Sequence, residues 1–522
     1  MKKIKNRRAA RYGSVALILT VLALVAVIIL NVIACFLTTR YEWMFVNMNH
    51  AYAYDISDDC RDYVEEYVIA TVDQRNAEKK ANGEAAEKIK IIFCDDKENI
   101  EAEDYRKYVH DSVYELRDMF PDHIEIEYLD IWENPSIARK YGVSSVSNLV
   151  CSFDGRYETV DSKDFHIYGS AADPSLVTAY NGEKMLAACL MRATQAESPM
   201  CYFTANHGES LEDYEFMRSV IEAGYTIGFL DLTAEDIPED CELLVTFAPK
   251  QDMVIADNVS AVSEIDKLNA YMNNGGKYMV FLSADTFVSG ERANLEGFLA
   301  EWGVKYMHEK GDEGVENCYV IKDRSNSLTV DGYTIVSANA TAGLGGEIMA
   351  GLPGVNVFGN STCISFAAGY EYDGKGNYVL NANGKTRTAS ALMVSNSTAE
   401  AWAGGIAVAR ALENPFVLMS VTTELCENGE TACLIASAST DFATADHMSS
   451  AVIGNARTMT GLFKYLGREN APVTLTFKYL GSTEIESLTM QNAYIITAVL
   501  AIIPVVVCAA TGAVVLIRRR YS

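Results

Sequence analysis

Between Pro199 and Met307, short apolar runs bounded by turn residues alternate with longer stretches of helical period. That alternation predicts βαβ units and a parallel sheet. Strands are expected at Cys201–Thr204, Thr226–Asp231, Leu243–Ala248 and Lys277–Leu282, and helices at Ser210–Ala223, Ser260–Asn273 and Arg292–Trp302. Ser210 with Asp213 three residues on suits a capping box, and Gly224 and Gly275-Gly276 suit left-handed helix ends. Upstream, the pattern predicts a strand at Lys88–Phe93 and an amphipathic helix at Tyr105–Phe120. A strand at Ile124–Ile131 and a short helix ending at Gly142 follow, then a hairpin, Ser147–Phe153 with Tyr157–Val160, turning at Asp154-Gly155, and a helix at Asn181–Thr194. This order, β-α-β-α-β-β-α, looks like a thioredoxin-type fold. Asp55–Ala70 reads as helical and Asp73–Glu87 as a polar connector.

After Met307 the text changes. Gly311–Ser390 is rich in Gly, Asn, Ser and Thr with short alternating runs, and reads as a β-rich insertion. Phe416–Val421 and Cys433–Ala438 are strands that complete the sheet begun at Cys201, Ser449–Leu466 is a last helix and Val473–Tyr479 a last strand. The fold class is therefore α/β: a thioredoxin-like domain, then a doubly wound, amidotransferase-like (flavodoxin-like) open sheet with a β-rich insertion, between two transmembrane helices. The boundaries fall at 1–14 (basic tail), 15–37 (span), 38–87 (juxtamembrane and connector), 88–197 (thioredoxin-like), 198–307 with 414–467 (open sheet), 308–413 (insertion), 468–492 (juxtamembrane), 493–517 (span) and 518–522 (tail).

The two spans are uncharged and long enough to cross a hydrocarbon core of about 30 Å. Lys2, Lys3, Lys5, Arg7, Arg8 and Arg11 precede the first, and Arg518, Arg519 and Arg520 follow the second. The positive-inside rule puts both ends in the cytoplasm and the central domain outside the membrane. The chain carries a net charge of −27, which excludes nucleic acid as an expected partner. Of its 12 Cys, Cys35 and Cys508 lie in the spans and the other ten are scattered without a C-x-x-C, so these ten read as buried thiols, with a Cys426–Cys433 bridge across the Asn428-Gly429 turn as the alternative.

Candidate chemistry lies where strands of the open sheet end, because ligands of such sheets bind outside the carboxyl ends. Asn206-His207-Gly208-Glu209 follows the first strand. His207 and Glu209 there either meet a ligand as acid and base or fix a turn. Ser283 ends the Lys277 strand without the G-x-S-x-G of a nucleophile elbow. Asp441, in Ser439-Thr-Asp-Phe442, follows a later strand and faces the same crevice or caps a helix. No residue is assigned as catalytic. Gly343-Leu-Gly345-Gly346 lacks the third glycine of a dinucleotide fingerprint, and Gly384-Lys385-Thr386 lacks the first glycine of a P-loop. The seven His show no zinc spacing, so neither a metal nor a cofactor is expected.

Several features coincide in order along the chain: an N-terminal span, a thioredoxin-like stretch with Cys94-Asp-Asp-Lys97 where a redox enzyme carries C-x-x-C, and Tyr180-Asn-Gly-Glu183 opening its last helix. His207-Gly-Glu209, Ser439-Thr-Asp-Phe442, Asn455 and an Arg-capped C-terminal span complete them. Together they resemble the Gldg family, the auxiliary component of ABC-type transport systems first linked to gliding motility. The resemblance implies a two-pass protein of the bacterial plasma membrane working beside an ABC permease and a separate ATPase, with membrane lipids around its spans. The expected function is that of a non-enzymatic auxiliary subunit. A hydrolase using the crevice near His207 and an envelope ligand-binding module are the alternatives.

Overall fold

The computed structural model describes residues 54–480, apart from 169–176, 197, 210–213, 257–261, 289–291, 311–315, 383, 404–405, 408–414 and 450–452, together with Arg518. Both expected spans and the Ser210–Asp213 capping box lie outside the described residues. Among the described residues no helix is long and apolar enough to cross a membrane.

The first sheet is built from β1 (Ile89–Phe93), β2 (Ile124–Tyr128), β3 (Asn148–Phe153) and β4 (Arg156–Asp161), in the order β2-β1-β3-β4. β1 runs parallel to β2 and antiparallel to β3. Its alternation divides the sheet into two faces. Ile89, Ile91 and Phe93 join the larger core with the helices Asp104–Met119 and Gly182–Thr194, whereas Ile92 and Val150 pack with Ala138 of the short helix Pro135–Lys140. β3 and β4 meet at Asp154 and Gly155, whose φ values of 51° and 78° suit a two-residue turn of the I′ type. β5 (His166–Tyr168) and β6 (Val177–Tyr180) form a small sheet with Lys478–Tyr479 from the far end of the chain.

The second sheet has 13 strands. β7 (Met200–Thr204), β8 (Thr226–Leu230), β9 (Cys241–Phe247) and β10 (Lys277–Phe281) lie in the order β10-β9-β7-β8, all parallel. Thr431–Ser437 adds a parallel neighbour to β10. From there Val417–Leu425, Lys385–Val394, Ile335–Asn339 and Asn356–Phe358 continue the same sheet antiparallel. The result is a mixed α/β architecture with multiple sheets. The parallel strands are apolar on both faces, as strands covered on both sides must be: Phe203, Val245, Met279 and Phe281 belong to one core, Leu244, Tyr278 and Val280 to the other. Within 308–413 the strands Ile335–Asn339, Asn356–Phe358, Ile364–Phe366, Glu371–Tyr372, Asn377–Ala382 and Lys385–Val394 extend this sheet, whereas His308–Lys310 with Glu316–Cys318, and Val320–Lys322 with Glu400–Ala403 and Ile406–Ala407, form two small sheets of their own.

Some local expectations change. The polar stretch after Asp73 stays helical to Ala81, because the run from Asp58 is one helix with a wider π-helical turn at Val64–Ile69, and Val64, Val68 and Val72 are buried along it. Gly343–Met349 is a helix within the β-rich stretch. Only Lys478–Tyr479 of the last expected strand is paired. Gly224 and Gly275 adopt the left-handed conformation, at φ 93° and 91°, but Gly276 does not; it is a close approach to the Tyr271 ring instead. All ten described cysteines are free and buried.

The motif residues turn out to be interior connectors. Asn455 is fully buried at the start of the helix Asn455–Tyr465. Its Oδ1 accepts from Val357 N (2.9 Å), and its Nδ2 donates to Val357 O and Phe442 O (both 2.8 Å). Val357 belongs to the edge strand Asn356–Phe358, so one side-chain amide closes that edge of the sheet as a further strand would. Asn455→Ala strands three buried backbone groups and should lower unfolding free energy by about 3 kcal/mol, the upper range for such orphans. Denaturant titration of the purified chain measures it; a loss below about 0.5 kcal/mol, the size of an ordinary surface substitution, would contradict the assignment.

Candidate functional site

The carboxyl ends of the parallel strands carry all four residues singled out from the sequence. β7 leads to His207 and Glu209, β10 to Ser283, and Thr431–Ser437 to Asp441. The same edge holds three non-glycine residues with positive φ: Asn206 (81°) after β7, Ala248 (50°) after β9, and Asn360 (43°). Asn tolerates this conformation; Ala248 is a strained position, of the kind that clusters at binding edges.

His207 is 3 % exposed and clamped between two carboxylates. Its Nδ1 lies 3.1 Å from Glu209 Oε1 and its Nε2 3.0 Å from Glu264 Oε2. Glu209 also accepts from His207 N (2.7 Å) and from Thr204 Oγ1 (3.0 Å). Glu264, fully buried in the first turn of the helix Glu264–Asn273, accepts from Val254 N (2.7 Å). The carbonyl of His207 takes the N–H groups of Lys250 and Gln251 (2.7 and 2.9 Å). Burial by itself pushes the imidazole pKa down, but the hydrogen bonds and charges of Glu209 and Glu264 outweigh it and raise the value to about 10. Burial likewise pushes Glu209 up, and its bonds to His207 turn the net shift downward. The group is thus an imidazolium between carboxylates. A general base needs a free ring nitrogen at neutral pH, and both of these are engaged. The cluster joins the β7 loop, the β9 loop and the following helix.

Ser283 is buried, with its N–H on Thr286 Oγ1 (3.0 Å) and its hydroxyl 3.1 Å from the same oxygen. No histidine hydrogen-bonds to it among the described residues. Asp441 is half-buried beside Gly359, where a Cβ would run into its carboxylate. Burial raises its pKa, His447 opposes, and Asp285 and Asp446 add to the rise. No hydrogen bond to this carboxylate is found among the described residues. The four residues therefore divide: His207 and Glu209 form one closed cluster, Ser283 a local turn, and Asp441 a separate carboxyl near Asp285.

Sequence reasoning missed Glu264. An acid in a helix's first turn is common and stabilising there, and only the fold brings it onto His207. It also missed a recess of about 690 Å³ at the opposite, amino ends of β9 and β10, lined among others by Glu239, Glu242, Asp266, Lys267, Tyr271 and Glu430. Cys94, at the position of a redox motif, is buried, and burial pushes its thiol up to about 12 against the pull of Arg106. A low-pKa nucleophile needs the reverse.

No family model and no curated protein matches the chain. Three solved structures align with about half of it. The mmIFT52 N-terminal domain is 14% identical, with 51% of this chain and 96% of that one covered and a TM-score of 0.35. Cytoplasmic Protein STM3548 from Salmonella typhimurium is 10% identical over 51% and 98%, at 0.29. PurLQS from Thermotoga maritima is 10% identical over 52% and 100%, at 0.25. Likeness at this level carries nothing about ligand or activity.

The His207 cluster has a pH signature. Its folded pKa lies above the unfolded value of about 6.5, so its contribution is whole below about 6.5 and is lost as pH climbs through about 10. Glu209 is depressed, so its contribution is present above the ordinary carboxylate range and is lost as pH falls through its lowered value. Stability should therefore decline from pH 7 towards 10. His207→Ala, which leaves two buried carboxylates facing each other, should cost about 3–5 kcal/mol at pH 7 and flatten that alkaline decline. Thermal unfolding from pH 5 to 10 on both proteins checks it; an unaltered alkaline limb in His207→Ala would contradict the assignment.

Proposed function

We propose that this chain is a membrane-anchored auxiliary subunit of an ABC-type transport system, with an extracytoplasmic domain that works beside a separate permease and ATPase. The observation that carries the reading is the way the described chain begins and ends. Glu183 accepts from Ser57 N and pairs with Lys478 Nζ (2.8 Å), and the same lysine bonds Asp55 O. Leu480 N donates to Thr178 O (2.8 Å). The chain thus leaves the folded unit beside the point where it arrived. In the sequence an apolar segment of spanning length, 15–37, precedes the folded unit and another, 493–517, follows it, each with basic residues on its far side. Two such segments suit an accessory role better than a transport path, since neither contains an Asp, Glu, Lys, Arg or His.

The non-enzymatic reading is supported by the His207 ring, both of whose nitrogens lie against carboxylates. The finer fold reading has its own support. A four-stranded sheet in the order β2-β1-β3-β4, with its first pair parallel, suits a thioredoxin-like domain used structurally, since Cys94 is buried and has no C-x-x-C partner. Five parallel strands with helices between them suit an amidotransferase-like open sheet. A ligand-binding role at the carboxyl edge is the second reading, favoured by Asp441 and the strained Ala248.

Capture of the tagged full-length chain from membranes in mild detergent tests the proposal. The expected result is a multi-span permease retained with the chain, and weaker retention for Gly512→Leu, which removes a small surface on which a neighbouring helix can pack. Recovery of the chain without any permease, under conditions that keep other transporters whole, would move the ligand-binding reading ahead.

A further inference from the structure

The two ends of the 13-strand sheet are finished differently. At one end the Asn455 amide satisfies both backbone groups of Val357, and Asn356, Val357 and Phe358 are all buried. At the other end lies β8, which among the described residues pairs only with β7. Thr226 N–H donates to Pro199 O and Leu230 O accepts from Ala205 N (2.9 and 3.0 Å). In a strand the backbone groups alternate, so Thr226, Gly228 and Leu230 turn theirs inward to β7, and Ile227 and Phe229 turn theirs outward. The strand lacks the usual protections of an edge, namely charge, proline and a bulge: Thr226-Ile-Gly-Phe-Leu230 carries no charge, and Phe229 is 58% exposed.

We propose that β8 pairs antiparallel with β8 of a second copy of this chain, about a two-fold axis through Gly228. That register follows from the outward groups. It sets Ile227 opposite Phe229 of the second copy, and each such pair exchanges two N–H···O bonds, while the glycines face each other as a non-hydrogen-bonded pair. The exposed Phe229 ring then lies beside the aliphatic Ile227 on the same face. Charge selects this contact over others between copies. In a chain of net charge −27, most surfaces would set carboxylate against carboxylate, and this strand is neutral. A five-residue strand pair buries far less than the roughly 1,200 Å² of a stable free dimer. Pairing therefore depends on copies sharing one membrane, where confinement raises their effective concentration; to that extent it rests on the anchoring proposed above, though not on a permease.

Two full-length copies with different tags, expressed together, provide the test. Cell fractionation first establishes whether the chain is in membranes, and its absence there would count against the anchoring alone. In membranes, oxidation should cross-link an Ile227→Cys copy to a Phe229→Cys copy in preference to two Ile227→Cys copies. Capture of one tag after gentle extraction should retain the other. Phe229→Pro removes an outward N–H without touching the β7 ladder and should abolish retention, with an unfolding midpoint close to that of the parent. Phe229→Tyr should keep it. Monomeric wild-type chain in membranes would overturn the proposal, as would retention that survives Phe229→Pro, equal cross-linking in both combinations, or loss of a different protein on Phe229→Pro.

Discussion

The buried ion pair between Lys184 and Glu222 (2.6 Å) is the constraint on which the two halves of the folded unit depend. Lys184 opens the helix that closes the first sheet, and Glu222 ends the helix Tyr214–Glu222 that covers the second. Neither charge is exposed, so each needs the other: an isolated charge at that depth would cost several kcal/mol. Arg218 and Asn181 supply further partners to Glu222. Burial alone would raise the Glu222 pKa, and Lys184 with Arg218 turns the net shift downward. Around this pair the sequence Tyr180-Asn-Gly-Glu-Lys184 performs several tasks in succession. Tyr180 bonds Ser112 (2.9 Å), Gly182 lets the backbone pass where a Cβ would strike the Tyr180 ring, and Glu183 holds both ends of the described chain.

The same logic explains the other short motifs. His207-Gly-Glu209 ties two loops to the helix at Glu264, and Asn455 seals a sheet edge. Ser439 donates to Gly359 O across the same junction. Buried polar residues of this kind are costly when unpaired and specify one arrangement when satisfied. Their spacing therefore reads like chemistry in the sequence while serving architecture in the fold. Asp441 is the exception, with burial raising its pKa and no hydrogen bond to its carboxylate among the described residues.

Much of the fold was legible because β7, β9 and β10 are apolar runs ended by turn residues, and the Asp154-Gly155 hairpin is fixed by two positive φ angles. Less legible was the path of Ile335–Asn339, Asn356–Phe358 and Lys385–Val394. Their short, polar text resembles a separate β insertion, yet hydrogen bonding makes them part of the main sheet. Local pattern carries no information about which distant edge a strand joins. The helix through Ala81 escaped notice because no apolar side chain between Asp73 and Ala81 joins the core, the last to do so being Val72. The candidate site was legible in position, since all four residues stand at strand ends, but not in role. What distinguishes an acid–base histidine from a clamped imidazolium is a carboxylate 57 residues away.

The central claim is that Glu183 joins the segments around Ser57 and Lys478 to the helix Gly182–Thr194. Hydrogen exchange of the full-length chain with Glu183→Gln tests it most directly. Protection should fall together at residues 54–60 and 478–480, which lie at opposite ends of the sequence, while β10 exchanges as in the parent chain. Loss confined to one of those segments, or no loss at either, would contradict the account.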